Sequence, residues 1–198
     1  MDQNSTTTAE GFTPSAEQTA IINKLFKPED TIIDSGFEKN NICLTQIESE
    51  KRASLVSDIE YTFSLALKKG DYYLGQAEIN FYVEKLPEND TDLFLNCRAM
   101  AINCLTINED LKTDPQYFKD QKIKLLPNEI QLGWNVVALG YFTPYQTNRT
   151  GLHQFIDAAD NEQYLYSQFE TNHCQKVFPS FDQPNLKAKM SLCAVCPK

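Results

Sequence analysis

IEYTFSLALKKGDYYLGQAEINFYV, residues 59–83, carries the clearest structural signal in the chain. Ile59, Tyr61, Phe63, Leu65 and Leu67 alternate with Glu60, Thr62, Ser64 and Ala66. A strand turns successive side chains to opposite faces, so this period of two predicts a strand with one face in a core and one in water. Lys68-Lys-Gly-Asp71 supplies a turn. Tyr73, Gly75, Ala77, Ile79, Phe81 and Val83 then alternate with Gln76, Glu78, Asn80 and Tyr82 on a return strand, which predicts an antiparallel hairpin.

Outward from this hairpin, further strands are expected over 92–97, 100–106, 121–125 and 133–142. Between them lie the turn-rich segments Pro87-Glu-Asn-Asp90, Asn108-Glu-Asp110, Asp114-Pro115 and Pro127-Asn128. Many short strands with such connections predict an all-β fold, an antiparallel β-sandwich. Helix is expected over 15–27, where Ser15 and Gln18 can form a capping box and Ile21, Ile22, Leu25 and Phe26 share a face. A second helix is expected over 46–57. Residues 1–14 read as a polar, disordered leader, and 30–41 as a loop with turn signals at Asp34-Ser-Gly36 and Asn40-Asn41.

A second informative stretch is GLHQFIDAADNEQYLYSQFETNHCQKVFPSFDQPNLKA, residues 151–188. It reads as a short strand, a tight turn and another strand. Tyr164, Tyr166 and Gln168 lie on one face of the first strand, with Leu165 and Phe169 on the other. Pro179 and Pro184 bracket a turn in which Asp182 can accept from nearby backbone N–H groups.

The segments Tyr164-Leu-Tyr-Ser-Gln-Phe-Glu170 and Phe178-Pro-Ser-Phe-Asp-Gln-Pro184 resemble the N-terminal domain of the zinc aminopeptidases of the aminopeptidase N and leukotriene hydrolase type. That family carries Y-L-(Y/F)-(T/S)-Q-x-(E/Q) and then F-P-C-F-D-(E/Q)-P-x-x-K-A, and Ser180 stands here at the usual cysteine. Leu44-Thr45, Glu48 and Arg52 resemble an L-T-x-x-E-A-x-x-R entry segment in one branch, and the resemblance is collinear from about Leu44 onward. It implies a saddle-shaped, largely antiparallel domain spanning 44–198, preceded by a helix and linker over 15–43. By the same resemblance, Glu170 matches the position that holds the free α-amine of a peptide, and Gln168 one that lines the pocket for the first side chain; both roles require a zinc domain packed opposite, and without one Glu170 reads as a solvated acid at the end of an edge strand. A fixed anion suits that task because a charge-assisted bond to an ammonium both orients a substrate and selects for a free N-terminus.

The family's zinc chemistry belongs to a later domain with H-E-x-x-H, a downstream Glu ligand and G-x-M-E-N. H-E-x-x-H puts two imidazoles one helical turn apart on one metal, with the Glu activating the bound water. The only histidines in this chain, His153 and His173, are neither followed by Glu nor spaced four apart, and G-x-M-E-N is absent. The expectation is a chain with no catalytic residue, metal ligand or cofactor of its own; zinc belongs to the parent family. His153 and His173 read as ordinary loop or strand-end residues. The carboxylate pairs Asp157 with Asp160, and Asp90 with Asp92, read as solvated loop acids.

Composition narrows the partners. The net charge of −9, from 18 basic and 27 acidic side chains, offers no basic patch for nucleic acid or anionic lipid. No apolar run reaches membrane-spanning length. MDQNSTTTAEGF lacks the basic end and apolar core of a signal peptide, so the expected location is cytoplasmic, and the three N-x-S/T sequons at Asn4, Asn89 and Asn148 carry no weight there. In that setting Cys43, Cys97, Cys104, Cys174, Cys193 and Cys196 read as reduced thiols. Cys193-Ala-Val-Cys196 continues an alternating strand, which sends its sulfurs to opposite faces and suits neither a metal nor a disulfide.

The sequence stops at Val195-Cys-Pro-Lys198, where the family runs on into further strands. The expectation is an open sheet edge over 186–195 with an apolar stripe of Leu186, Met190 and Leu192, covered by a protein partner or by the zinc domain. Two functional readings follow from the resemblance. One is a non-catalytic structural or binding subunit of a larger assembly. The other is part of an active cytosolic zinc aminopeptidase in which this domain helps bind the peptide N-terminus.

Overall fold

A computed structural model describes residues 14–37 and 43–197. The expected leader and the Asn40-Asn41 turn signal therefore lie outside the described residues, Pro14 apart. Helix α1 (Ala16–Leu25) opens with the expected capping box, Ser15 with Gln18. After a short strand β1 (Thr31–Ile33), helix α2 (Gln46–Leu55) repeats the device with Thr45 and Glu48, each satisfying an N–H that the first helical turn leaves unpaired.

The hairpin forms as read. Strand β2 (Val56–Ala66) pairs antiparallel with β3 (Tyr72–Val83), with Tyr61 opposite Ile79 and Phe63 opposite Ala77. Tyr61, Phe63, Leu65, Tyr73, Ile79, Phe81 and Val83 are all buried. Gly75 is required on this face because the ring of Tyr141 occupies the space a β-carbon would fill. The remaining strands are β4 (Phe94–Asn96), β5 (Ala101–Ile107), β6 (Asp110–Lys112), β7 (Phe118–Lys119), β8 (Lys122–Lys124), β9 (Gly133–Pro144), β10 (Gly151–Ile156), β11 (Gln163–Gln168) and β12 (Ala188–Val195).

These form an all-β sandwich with two short helices. A seven-stranded sheet in the order β1-β5-β9-β3-β2-β12, with β6 beside β5, makes one layer. The three-stranded sheet β4-β8-β7 and the ribbon β10-β11 lie opposite. Phe63, Phe81, Val137 and Tyr141 of the large sheet share a core with Leu93, Leu95, Ile123, Leu125, Phe178 and Phe181. Helix α1 covers the other face of the large sheet, where Ile22 packs with Met100, Ala101 and Phe142.

One expectation needs correction, the composition of the apolar stripe at the sheet edge. Strand β11 pairs with β10, upstream of it. The strand after the proline-bracketed turn, β12, joins the large sheet beside β2, and it runs parallel to it. All other pairings in the described sheets are antiparallel. Leu186 leaves the exposed stripe and packs against the core. Met190 and Leu192 remain 51% and 54% exposed. They lie beside Tyr61 and Phe63, so they continue the buried face of the sheet past the point where the second layer covers it.

Candidate substrate-facing site

Glu170 and Gln168 sit where β11 leaves its ribbon. The turn over 157–162 that joins β10 to β11 is built from its own acids. Asp157 accepts from the N–H of Ala159 at 2.9 Å, and Asp160 from that of Glu162 at 2.9 Å and from the Tyr164 hydroxyl at 2.7 Å. Asn161 takes the positive φ of 59° that the turn demands. Both carboxylates are thus turn-formers, in keeping with their reading as loop acids.

The ribbon has two unlike faces. Leu152, Leu165 and the following Phe169 pack on the core, as the alternation predicts, and Phe169 meets Phe178 edge-on with ring centroids 6.0 Å apart. On the other face Phe155 stands opposite Tyr164 and His153 opposite Tyr166. Phe155 and Tyr164 stack at 5.4 Å, and His153 lies 4.7 Å from Tyr166. Gln168 ends this face, Glu170 follows in the turn just past the strand, and both are exposed.

Gln168 bends back along the chain. Its side-chain carbonyl accepts from the backbone N–H of Glu170 at 2.7 Å. Phe169 between them is anchored in the core, and the N–H of His173 closes a turn onto the Phe169 carbonyl at 2.9 Å. With Gln168 bonded to its N–H and Phe169 anchored beside it, Glu170 is carried on a pinned backbone, and its carboxylate makes no hydrogen bond or ion pair among the described residues. A solvent-facing carboxylate accepts charge-assisted hydrogen bonds from a cation, an ammonium among them.

The segment after Glu170 is built to hold that turn. Phe178 stacks on Phe63 at 4.4 Å, and Phe181 meets Phe81 edge-on at 5.3 Å. The Phe181 N–H donates to the Tyr61 hydroxyl, and Asp182 accepts from the Gln175 N–H, both at 3.0 Å. Ser180, at the family's cysteine position, directs its hydroxyl to the Phe178 carbonyl and to the Cys174 sulfur.

The histidines are less ordinary than their sequence setting suggests. His153 is buried within β10, and its Nδ1 accepts from the Arg149 N–H at 3.0 Å. Nothing in the local pattern marks it, because Leu152, Phe155 and Ile156 break the alternation that would reveal β10. His173 has a buried Nδ1 without a partner among the described residues. Burial, with Lys176 and Arg98 nearby, holds its imidazole below the usual range.

The donor set does not fit zinc. Among the described residues no group of three His, Cys, Asp or Glu side chains is placed to hold a metal ion. The six cysteines are free thiols. Burial pushes the Cys97 thiol far up and the Cys174 thiol to about 11, so neither is a ready thiolate ligand.

The sequence model of the peptidase M1 N-terminal domain matches residues 57–198. The chain belongs to the peptidase M1 N-terminal domain family. The matched region includes all of the large sheet except β1 and the start of β2, together with the ribbon that carries Glu170. Aminopeptidase N of Streptomyces lividans is 31% identical to the chain over 158 residues. That alignment covers 78% of this chain but 18% of the Streptomyces protein. Within the peptidase M1 architecture, the sequence in hand is thus the N-terminal domain alone. None of its described helices is long and apolar enough to cross a membrane.

Proposed function

We propose that this domain is the non-catalytic, substrate-facing part of a zinc aminopeptidase, in which Glu170 holds the free α-ammonium of a peptide and Gln168 borders the first side chain. The observation that carries the reading is the Glu170 carboxylate itself: exposed, unengaged among the described residues, and held on a backbone pinned by Gln168 and Phe169. Zinc, with the groups that activate water, belongs to a separate catalytic domain; in support, no three donors among the described residues are placed to hold a metal ion.

The test is a chimera in which this chain replaces the matching segment of the Streptomyces Aminopeptidase N, compared with the same chimera carrying Glu170→Gln. A charge-assisted hydrogen bond contributes about 1.5–3 kcal/mol, so kcat/KM for amino-acid anilides should fall roughly 10- to 100-fold at unchanged zinc content. A change within twofold sinks the reading.

A second reading, a structural or binding subunit of a larger assembly, rests on β12. Its backbone edge and the half-exposed Met190 and Leu192 favour cover by another polypeptide segment, whether a partner chain or the zinc domain. Light scattering on the isolated chain separates the cases: a monodisperse monomer without exposed apolar surface removes the need for a partner.

A further inference from the structure

The face that ends at Gln168, just before Glu170, runs back along β11. Tyr166 is next along the strand, and alternate residues of a strand lie about 7 Å apart on one face. Its ring is 42% exposed, and Phe155 and Tyr164 beyond it are each 44% exposed. Exposed aromatic side chains in register on one ribbon make a continuous apolar surface leading away from a lone carboxylate.

This surface is rigid as well as apolar. The opposite face of the ribbon, Leu152 and Leu165, is held against the core. Behind Tyr166 stands His153, buried and fixed by the bond from the Arg149 N–H to its Nδ1. The ring lies 4.7 Å from that of Tyr166 at a tilt of 45°, backing it from the buried side. The far end is locked by the Tyr164 hydroxyl on Asp160 and by the stack of Tyr164 on Phe155. A preorganised aromatic wall gains contact with a ligand without ordering itself first.

We infer that Tyr166 is a specificity-determining residue that favours peptides with an aromatic or large apolar first residue. The inference rests on the reading of Glu170 as the ammonium site. In this reading a substrate whose ammonium sits on Glu170 runs its first side chain along the ribbon, past Gln168. Alternate residues of the strand are about 7 Å apart, so a benzyl group directed that way approaches the Tyr166 ring and a methyl group does not. Both the ring and its support by His153 are then used, and a small or charged side chain gains nothing from them.

The same chimera tests this, with phenylalanine and alanine anilides measured side by side. Tyr166→Ser should lower the phenylalanine-to-alanine ratio of kcat/KM about fivefold, the size of one aromatic contact. Tyr166→Phe should retain the ratio. Glu170→Gln should lower both substrates together and leave the ratio alone. An equal effect of Tyr166→Ser on both substrates, or none on either, overturns the specificity role while leaving the ammonium site intact. A failure of Glu170→Gln to affect either substrate overturns the ammonium site instead. A second measurement uses the chain itself: phenylalaninamide should shift the His153 and Tyr166 ring resonances more than alaninamide does. Equal shifts, or none at high ligand, count against the inference.

Discussion

The Nε of Arg52 donates to Oε1 of Gln183, 131 positions away, at 2.5 Å with both residues buried. The same guanidinium donates through Nη1 to the Phe94 carbonyl at 3.1 Å and to Asn96 Oδ1 at 2.7 Å. It lies over the rings of Phe94 and Phe181. One side chain on α2 thus joins the small sheet to the proline-bracketed turn that follows the candidate site. Burial lowers its pKa to about 10, which still leaves it charged at neutral pH.

Arg52→Ala should therefore destabilise the domain by about 3 kcal/mol or more, because it strands the polar groups of Gln183 and Asn96 in the interior. Arg52→Met should cost less, since it keeps the packing against Phe94 and Phe181. Urea unfolding followed by tyrosine and tryptophan fluorescence measures both. Equal stability of Arg52→Ala and the parent chain contradicts the bridging role.

Acid should act through Glu48. Partial burial works against its charge, but the bond from Lys122 and those from Thr45 outweigh it and lower the pKa from 4.5 to about 2. A carboxylate depressed in the folded state stabilises above its unfolded pKa and loses that contribution as pH falls through the folded value. The stability gap between the parent chain and Glu48→Gln should be full at pH 6 and close between about pH 4.5 and 2. Because the pair is only part-buried and still screened by solvent, the gap should stay near about 1 kcal/mol. Thermal melts across that range read it; a gap that widens in acid reverses the assignment.

The isolated chain should neither retain zinc nor release amine from amino-acid amides. Elemental analysis after dialysis and a chromogenic assay with added zinc are sufficient. One equivalent of tightly held zinc, with hydrolysis that a chelator stops, would falsify the assignment of metal chemistry to another domain.

The exposed continuation of the core face predicts dye binding. The isolated chain should enhance the fluorescence of anilinonaphthalene sulfonate, and Met190→Lys with Leu192→Lys should reduce that signal by half or more at unchanged melting temperature. Half-exposed side chains contribute little to folding, so a drop in melting temperature would mean that they are packed.

Much of the sandwich was legible where burial imposes a period of two. Residues 59–83 and 133–142 alternate because one face of each strand meets a core, and they appear in the structure as β2, β3 and β9. Capping at Ser15 was readable because it depends on residues three apart; the same device at Thr45 and Glu48 went unread although its spacing is identical. Strand β10 escaped because His153 occupies a buried position and Ile156 an exposed one, the reverse of what hydrophobicity implies. The parallel course of β12 escaped as well, since alternation within a strand says nothing of its direction. Gln168 and Glu170 stood out only through family resemblance; their bond to one another depends on a local bend that no spacing rule encodes.

The pairing of β12 with β2 bears on how the domain is made. Ile59 meets Ala188, so the first long strand of the sheet waits for one synthesised 129 residues later. Loop closure over such a distance is slow compared with the local hairpin that joins β2 to β3. A nascent chain can assemble β2, β3, β9 and β5 before β12 has left the ribosome, and it adds β12 afterwards. Until then the edge of β2 is open to any other extended chain within reach, and the parallel strand is the one that closes it.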